Sequence, residues 1–452
     1  MRYGFILGRV YTLSMAEILA VLERADASLG LLDNPVSIVD ASFEVLIIET
    51  QKPLQVEKLQ KFLGGCIKII QICEELKKRE FDSVNFTLQH YFKPSVLKKQ
   101  FLKDYKGKIQ FGVSIYLLDE ELAKRPAFQN GGYNQNQNNS AGQRTNNIFI
   151  EPKKIGMMIK KTLTETGASV RLVLPEINSL SLASVAVTGN LLLQKGAEVC
   201  LIAGKEKVYV GKTLTVQDFE DYGRRDYQRP VRDDKQGMIP PKVAQVMLNL
   251  SGCKPGSTIL DPFCGIGTII QEGLLLGYRM FGSDINRVAV RGSEQNLEWF
   301  RNRYKIAPGK YILNTSDATK VAELIGKEKI SSIVTECTLG PIYGNYPKEH
   351  EIKKNFADLT ELYSKTFQEF TKFLPSGAKI VMCIPAYKKG RHEYEMLPSL
   401  DFASALGYNS ISLIPSSEAK KYKFLKLTAR GTAIYDRKDQ IVAREIVIFK
   451  KI

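Results

Sequence analysis

The sequence lacks the residues that most protein metal centres require. Its 452 residues include only three histidines, and none of the seven cysteines falls in a Cys-x-x-Cys pair. Structural zinc is usually held by such pairs or by clustered histidines, so we expect no metal site. The cysteines are scattered, mostly through apolar segments, which is typical of reduced thiols in a cytosolic protein.

Long apolar runs are also missing. No uninterrupted apolar stretch is long enough to span a bilayer. The first residues, MRYGFILGRVYTL, contain too short an apolar run for a signal peptide and no small-residue cleavage site. These absences predict a soluble, cytoplasmic protein without a membrane partner.

Positive charge, in contrast, is abundant. Lysine and arginine number 64 against 48 acidic residues, which gives a formal net charge of +16. This balance favours a polyanionic partner, because each neutralised phosphate releases condensed counterions. A solvated basic surface is the alternative. The length suggests about three domains.

The first half of the chain predicts two blocks. Residues 1–75 alternate strands and helices and predict a small ferredoxin-like α/β module, in which Ser14 and Glu17 would form a capping box. Residues 76–215 add further strands and a lysine-rich helix with Lys160 and Lys161. Within them, a Gly/Asn/Gln-rich stretch near 127–147 predicts a disordered surface insertion.

Residues 216–237 have the composition of a linker. The segment DFEDYGRRDYQRPVRDDKQG interleaves arginines with tyrosines and prolines. Such a pattern suits a phosphate backbone with unpaired bases. The alternative is a stiff connector whose arginines pair with its own aspartates. The candidate RNA-binding residues of the chain are Arg224, Arg225, Arg229, Arg232, Lys160 and Lys161.

From residue 238 to residue 452, short apolar strands alternate with helices. The strands STILD, RMFGSD, KYILNTSD and SSIVTE each end in a polar residue. This alternation predicts an α/β fold with an open, mostly parallel sheet, whose ligands bind beyond the strand carboxyl ends. The tail, FLKLTARGTAIYDRKDQIVAREIVIFKK, predicts a hairpin that closes the sheet edge.

The segment ILDPFCGIGT predicts a ligand site after the first of these strands. Asp261 ends the strand, and Gly265 and Gly267 remove side chains where a ligand would approach the backbone. A dinucleotide fingerprint would need a third glycine at position 270, where the chain has Ile270. This departure argues against pyrophosphate binding.

Two further acids end the next two strands. Asp284 could accept hydrogen bonds from both hydroxyls of a ribose, and Asp317 could accept one from the amine of an adenine. Carboxylates at three successive strand ends describe a nucleoside that carries a positive charge, and S-adenosylmethionine fits. The alternative is a doubly wound sheet whose acids only cap helices.

The motif DPFCGIGT resembles motif I of the class I methyltransferases that modify exocyclic amines of nucleic acids. The chain is most similar to the THUMP-domain tRNA guanosine N2-methyltransferases. YGFILGRVYTLSMAEILAVL resembles their N-terminal module, FGVSIYLL and SLASVAVTGNLLLQKGAEVCLI their THUMP domain, and AIYDRKDQIVAREI their closing hairpin. The resemblance implies a THUMP RNA-binding domain over 76–215 and a class I Rossmann-like methyltransferase domain with a C-terminal β-hairpin over 238–452.

The resemblance also implies an activity. Methyl would pass from S-adenosylmethionine to the N2 amine of a guanosine in tRNA, in the guanosine-10 region, with a small activating subunit as a candidate partner. A DNA amine methyltransferase is the alternative. Cofactor binding is carried over to Asp261, Pro262, Cys264, Gly265, Gly267, Asp284, Ile285, Asp317 and Ala318.

The chain departs from the family at the D/N-P-P-Y motif. In that motif the acid or amide and a backbone carbonyl accept the hydrogens of the amine, and the aromatic ring stacks on the flipped base. An acid remains here, one methylene longer, but both prolines and the ring are gone. Aligned without gaps, the motif falls on Glu336, Cys337, Thr338 and Leu339.

Three interpretations of this departure stay open. Glu336 could still accept the amine as the catalytic residue, with Tyr343 or Tyr346 as the stacking ring. The site could instead take another base or RNA. The chain could also bind tRNA and cofactor with little catalysis. A nucleophilic Cys337, as in cytosine C5 methylation, is disfavoured because Glu336 stands where that chemistry usually has proline.

Overall fold

The computed structural model describes residues 1–77, 84–102, 107–119, 151–232, 238–390, 393–437 and 440–452. The insertion expected near 127–147 lies outside these residues. The chain forms two compact units. Unit 1 consists of Met1–Gly8, Ala27–Lys61 and Cys66–Gln217, and unit 2 consists of Arg9–Asp26, Phe62–Gly65 and Asp218–Ile452.

Unit 1 is built on one mixed sheet, whose strands follow the order β2-β3-β1-β4-β8-β7-β5-β6. The strands are β1 (Arg2–Leu7), β2 (Val36–Ala41), β3 (Val45–Thr50), β4 (Cys66–Lys77), β5 (Ile109–Leu117), β6 (Val170–Val173), β7 (Gly196–Ala203) and β8 (Lys207–Val216). The long strand β4 pairs with β1 on one side and with β8 on the other. The boundary predicted at residue 75 therefore falls inside a strand and does not separate two sheets.

Helices of both units are numbered here along the chain. They are α1 (Tyr11–Leu22), α2 (Val56–Phe62), α3 (Val84–Tyr91), α4 (Pro94–Val96), α5 (Pro152–Thr164), α6 (Ser184–Gly189), α7 (Leu192–Lys195), α8 (Phe219–Tyr227), α9 (Pro241–Leu250), α10 (Thr268–Leu275), α11 (Arg287–Tyr304), α12 (Val321–Ile325), α13 (Glu349–Thr371), α14 (Asp401–Ser404) and α15 (Ser416–Ala419). Within the described residues, no helix combines the length and apolarity needed to cross a bilayer.

A buried ion pair joins the strands of unit 1. Lys68 Nζ lies 2.6 Å from Glu198 Oε1, and the two side chains are 2% and 0% exposed. Glu198 also accepts hydrogen bonds from Ser114 Oγ and Thr213 Oγ1, while Lys68 donates to the carbonyl of Leu182. Both charges thus find polar partners in the interior, without which their burial would be very costly.

Unit 2 contains the open sheet that the sequence predicts. Its strands are β9 (Thr258–Asp261), β10 (Arg279–Asp284), β11 (Tyr311–Thr315), β12 (Ser332–Glu336), β13 (Lys379–Gly390), β14 (Glu393–Met396), β15 (Tyr408–Ile411), β16 (Ala433–Tyr435) and β17 (Val442–Lys451). The main order is β11-β10-β9-β12-β13-β17-β15. The first five are parallel, and β17 runs antiparallel to β13, β15 and β16. The predicted parallel sheet and the hairpin β16–β17 are confirmed. The expectation that the hairpin closes the sheet edge is wrong, because β17 lies between β13 and β15.

Helix α1 belongs to unit 2, and its acid has a role other than the predicted one. Glu17 forms no capping box with Ser14, since the helix begins earlier, at Tyr11. The buried Glu17 carboxylate instead accepts hydrogen bonds from the amides of Gly64 and Gly65 and from Asn249 Nδ2 on α9. Burial raises the pKa of Glu17 to about 7. This acid therefore fixes α1 on α9.

Candidate active site

A cavity of about 1230 Å³ opens at the carboxyl edge of the unit 2 sheet. The chain leaves β9 toward β10 and returns to β12 on the other side of β9, so the loops after β9 and β12 diverge and leave a crevice. Gly267 is the one predicted cofactor residue that does not line this cavity. The lining includes Asp261, Pro262, Cys264, Gly265, Asp284, Ile285, Asp317 and Ala318.

The two glycines after β9 have different roles. Both have left-handed backbones, with φ of +52° at Gly265 and +86° at Gly267. A Cβ atom on Gly265 would meet nothing within 4 Å, whereas one on Gly267 would lie 2.3 Å from Ser293 Oγ on α11. Gly265 thus faces open space beside the cavity, but Gly267 permits close packing of the loop on α11. The expectation that Gly267 makes room for a ligand is wrong for this reason.

Asp284 ties the end of β10 to the loop after β9. Its carboxylate accepts hydrogen bonds from the amides of Gly265 at 2.9 Å and Asn286 at 2.8 Å. These contacts fix the carboxylate, and carboxylate oxygens have further lone pairs for ligand hydroxyls. The next residue, Ile285, is 70% exposed and lines the cavity. This edge of the cavity offers a fixed acid beside an apolar surface.

Asp317 caps the short 3₁₀ turn that follows β11. Its Oδ1 accepts from both the amide and the hydroxyl of Thr319, each at 2.9 Å. The helix-capping alternative therefore holds for this acid, which nevertheless lines the cavity next to the buried Ala318.

Asp261 lies at the inner end of the cavity and is 1% exposed. It accepts hydrogen bonds from Thr335 Oγ1 at 2.7 Å and from the amide of Phe263 at 3.3 Å. Burial raises the pKa of Asp261 to about 7, and the nearby carboxylates of Asp284 and Glu336 add to the rise. The charge of this acid is therefore sensitive to pH in the neutral range.

Glu336 ends β12, as predicted, and is paired with an arginine that the sequence did not single out. Arg444 Nε on β17 donates to Glu336 Oε1, and its Nη1 donates to Gln440 Oε1 at 3.0 Å. All three side chains line the cavity. Burial raises the pKa of Glu336, although the cation of Arg444 opposes that rise. Two adjacent charged residues, Arg444 and Glu445, inside an otherwise apolar strand are the sequence signal that could have identified this arginine.

The loop after Glu336 is held by helix α13. Tyr363 donates its hydroxyl to the carbonyl of Thr338 at 2.9 Å, and Asn355 Nδ2 approaches the carbonyl of Leu339 at 3.4 Å. Gly340 has a φ of +96°, and a Cβ there would lie 2.3 Å from the Asn355 amide. The backbone at the degenerate motif is thus fixed without the two prolines of the family motif.

Of the two tyrosines proposed as stacking rings, Tyr343 lines the cavity. Its ring meets the buried Tyr387 edge to face, with a centroid distance of 5.9 Å. Tyr346 lines a separate surface depression with Glu349 and Lys389. Tyr343 is therefore the better-placed aromatic ring, and Leu339 also lines the cavity.

Two of the connector arginines are buried. Arg225 Nε lies 2.7 Å from Glu272 Oε1, and its Nη1 pairs with Asp221. Arg229 Nη1 donates to Thr268 Oγ1 at 2.6 Å, beneath the loop after β9. Both side chains are at most 5% exposed. The expectation of RNA contact is wrong for these two, because both side chains are buried against residues of α10, Arg225 on Glu272 and Arg229 on Thr268.

The other predicted RNA-binding residues reach the surface to different degrees. Arg224 is 29% exposed and pairs with Glu220 and Asp221. Arg232 is exposed and lies over the ring of Tyr227, 5.3 Å from its centroid. On α5 in unit 1, Lys160 is half-buried and Lys161 is exposed.

The cavity fits S-adenosylmethionine in its donor set. Fixed carboxylates suit ribose hydroxyls, the exposed Ile285 suits a planar base, and Asp261 suits a cation. The open space beside Gly265 lets a ligand reach the backbone.

Comparisons with known proteins give a consistent result. A family model described as an RMKL-like methyltransferase domain matches residues 229–397, and one described as DNA methylase matches residues 57–295. The structure of TrmN from Thermus thermophilus aligns over 100% of both chains with a TM-score of 0.52 and 11% identity. That likeness shows the fold alone, and it confirms the Rossmann-like methyltransferase architecture.

Archaeal relatives share more sequence. The tRNA (guanine(10)-N2)-dimethyltransferase of Methanothermobacter thermautotrophicus is 36% identical over 151 residues, 33% of this chain and 40% of that protein. The Methanocaldococcus jannaschii protein of the same name is 30% identical over 219 residues, 46% of this chain and 52% of that protein. The chain thus spans about half the length of these relatives or less.

A third relative is matched over most of its length. The probable tRNA (guanine(10)-N2)-dimethyltransferase of Methanothermococcus thermolithotrophicus is 31% identical over 119 residues, 26% of this chain and 72% of that protein. The chain therefore belongs to the methyltransferase family that includes these archaeal tRNA (guanine(10)-N2)-dimethyltransferases and carries a methyltransferase domain.

Proposed function

We propose that this chain transfers a methyl group from S-adenosylmethionine to the N2 amine of a guanosine in tRNA, in the guanosine-10 region. The supporting observation is that Asp261, Asp284, Asp317 and Glu336, from four adjacent strand ends, line one cavity. The printed names of the archaeal relatives support the choice of base and RNA.

The chain's own residues have distinct parts in holding the cofactor. Asp284 receives the ribose hydroxyls, because its orientation is fixed by the amides of Gly265 and Asn286. Ile285 and Ala318 contact the adenine base, and Asp317 accepts a hydrogen bond from the adenine amine. Asp261 balances the positive charge of the sulfonium end. When bound, S-adenosylmethionine supplies an electrophilic methyl group.

The acceptor amine is a weak nucleophile, since its lone pair is delocalised into the guanine ring. Glu336 accepts a hydrogen bond from the amine and aligns the lone pair, while Arg444 favours the ionised form of the carboxyl group and holds it in place. Tyr343 stacks on the flipped base at the cavity mouth. Orientation and a preorganised charge lower the barrier without prior removal of the amine proton.

Transfer of labelled methyl to unfractionated tRNA, followed by nucleoside analysis, tests this function. N2-methylguanosine or its dimethylated form is the expected product. Product on DNA alone would favour the DNA alternative. Cofactor binding without transfer to any RNA pool, even with cell extract supplying an activating subunit, would favour a binding protein with little catalysis.

Three further assignments belong to the same proposal. The part of unit 1 that follows β4 acts as a THUMP RNA-binding domain. The exposed Lys161 of that unit and the exposed Arg232 of unit 2 are the cations assigned to RNA contact. The free cysteines suit a reducing compartment, the cytoplasm.

A further inference from the structure

A basic segment of unit 2 lies outside the assigned site. The residues KKYKFLK, 420–426, follow α15 and alternate lysines with aromatic rings. The amide of Lys426 donates to Thr12 Oγ1 at 3.0 Å. The ring of Phe424 lies edge-on to Tyr11, 6.0 Å between centroids, and tilted against Tyr422 at 5.8 Å. The segment is thus anchored on the start of α1.

The lysines of this segment are exposed, and Nζ of Lys426 lies over the ring of Tyr11, 5.8 Å from its centroid. Lys420, Lys423 and Lys426 are exposed, and no carboxylate of the described residues forms a salt bridge with them. The nearby acid Glu418 is already paired with Lys421 at 2.8 Å. The lysines therefore retain their positive charge for an external partner.

Further cations continue from this segment to the cavity. Two residues before Tyr11, Arg9 donates to the carbonyl of Asp436 at 2.7 Å and lies 6.0 Å from the ring centroid of Tyr435. The carboxylate of Asp436 is itself paired with Lys388. Arg437 then approaches the carbonyl of Met238, which lines the cavity, at 3.4 Å.

We propose that the basic strip, defined as Arg9, Lys420, Lys423, Lys426 and Arg437, binds the phosphate backbone of a single-stranded RNA segment and directs it to the cavity. The exposed Arg9, Lys420, Lys423 and Lys426 and the half-buried Arg437 neutralise the phosphates. The half-buried rings of Tyr422 and Phe424 offer stacking surface to unpaired bases. The alternation of rings and cations favours RNA over an acidic protein or an anionic lipid surface. This inference rests on the proposed function for the identity of the RNA.

The test compares two double charge reversals in the full chain. Lys423→Glu/Lys426→Glu alters the strip, and Lys310→Glu/Lys327→Glu is the control with the same change in net charge. Lys310 and Lys327 are exposed. They precede β11 and β12 and so lie toward the amino ends of these strands, whereas the cavity lies at the carboxyl ends. Binding of unfractionated tRNA is measured at several salt concentrations, beside the binding of S-adenosylmethionine and the thermal unfolding midpoint.

The strip variant should bind tRNA more weakly than the control, and its slope of log affinity against log salt should fall by about one unit per lost contact. Cofactor affinity should not change. Equal slopes and affinities in the two variants would overturn the proposal, as would a loss of binding to anionic vesicles but not to tRNA. If the strip variant unfolds, Lys423→Gln/Lys426→Gln against Lys310→Gln/Lys327→Gln gives the same comparison. Binding is measured without methyl transfer, so the two proposals can fail separately. A protein that transfers no methyl group but shows the changed salt slope would contradict the proposed function and support the basic strip.

Discussion

Arg444 Nε on β17 donates a hydrogen bond to Oε1 of Glu336 on β12, across one intervening strand, β13. The acid at the degenerate motif is therefore not an isolated carboxylate. Its charge, position and pKa depend on a guanidinium supplied by the hairpin β16–β17.

Arg444→Met should remove that support. Breaking a buried pair from one side costs about 3–5 kcal/mol of stability, because the remaining charge is left without its partner. The pKa of Glu336 should rise further, so the acid limb of the pH–turnover profile should move to higher pH. The double variant Arg444→Met/Glu336→Met should regain stability but not turnover. An acid limb that does not move would show that Arg444 only stabilises the fold.

Glu336→Gln should keep cofactor and tRNA affinity but lower turnover. Glutamine retains the shape and one acceptor oxygen, yet it removes the charge that stabilises the amine as the methyl group arrives. Single-turnover kinetics at saturating cofactor measure this step. Asp358→Asn, which alters another acid of the cavity lining and whose Oδ2 pairs with the exposed Lys354, is the matched comparison. Equal losses in both variants would place the acceptor base elsewhere.

Tyr343→Leu should weaken productive binding of the RNA, since stacking on one base contributes about 1–3 kcal/mol. The KM for tRNA should therefore increase, and steady-state kinetics measure it. Tyr346→Leu makes the same chemical change outside the cavity and should have little effect. Leu339→Tyr, introduced into the Tyr343→Leu background, should restore part of the loss by returning a ring to the family position. An equal effect of the two leucine substitutions would contradict the assignment of Tyr343.

Asp284→Ala should weaken S-adenosylmethionine by about 1–3 kcal/mol, because the ribose hydroxyls lose a charged acceptor. Calorimetry measures the change, and tRNA affinity should be nearly constant. Asp218→Ala, which removes the acid at the cap of α8, is the control. Unchanged cofactor affinity in Asp284→Ala would mean that the ribose lies elsewhere.

Cofactor affinity should increase as the pH rises through about 7. Burial raises the pKa of Asp261 to that value, so the acid is neutral below it and becomes a carboxylate above it. The charged form attracts the sulfonium, and the neutral form does not. Asp261→Asn should flatten this part of the affinity profile. A profile that keeps its slope in Asp261→Asn would assign the dependence to another group.

The strand-end acids could be predicted because each one follows an apolar strand within a few residues of sequence. The Glu336–Arg444 pair could not, since it joins residues that only the pairing of β13 with β17 brings together. The buried positions of Arg225 and Arg229 could not be predicted either. Their composition suits a phosphate surface, but their partners, Glu272 and Thr268, lie on α10. The shared sheet of unit 1 depends in the same way on β4, whose two neighbours come from distant parts of the chain.

Helix α1 and the turn at Phe62–Gly65 belong to the unit that otherwise begins at Asp218. Glu17 accepts from Gly64, Gly65 and Asn249, so three separated pieces of sequence complete one structural body. A gene fragment that starts at the connector would therefore encode the catalytic sheet without the helix that covers α9. If one recombination event moved only the segment from Asp218 onward into another protein, the side of α9 that α1 covers would be exposed. The evolutionary history of unit 2 should therefore be traced through its N-terminal residues as well.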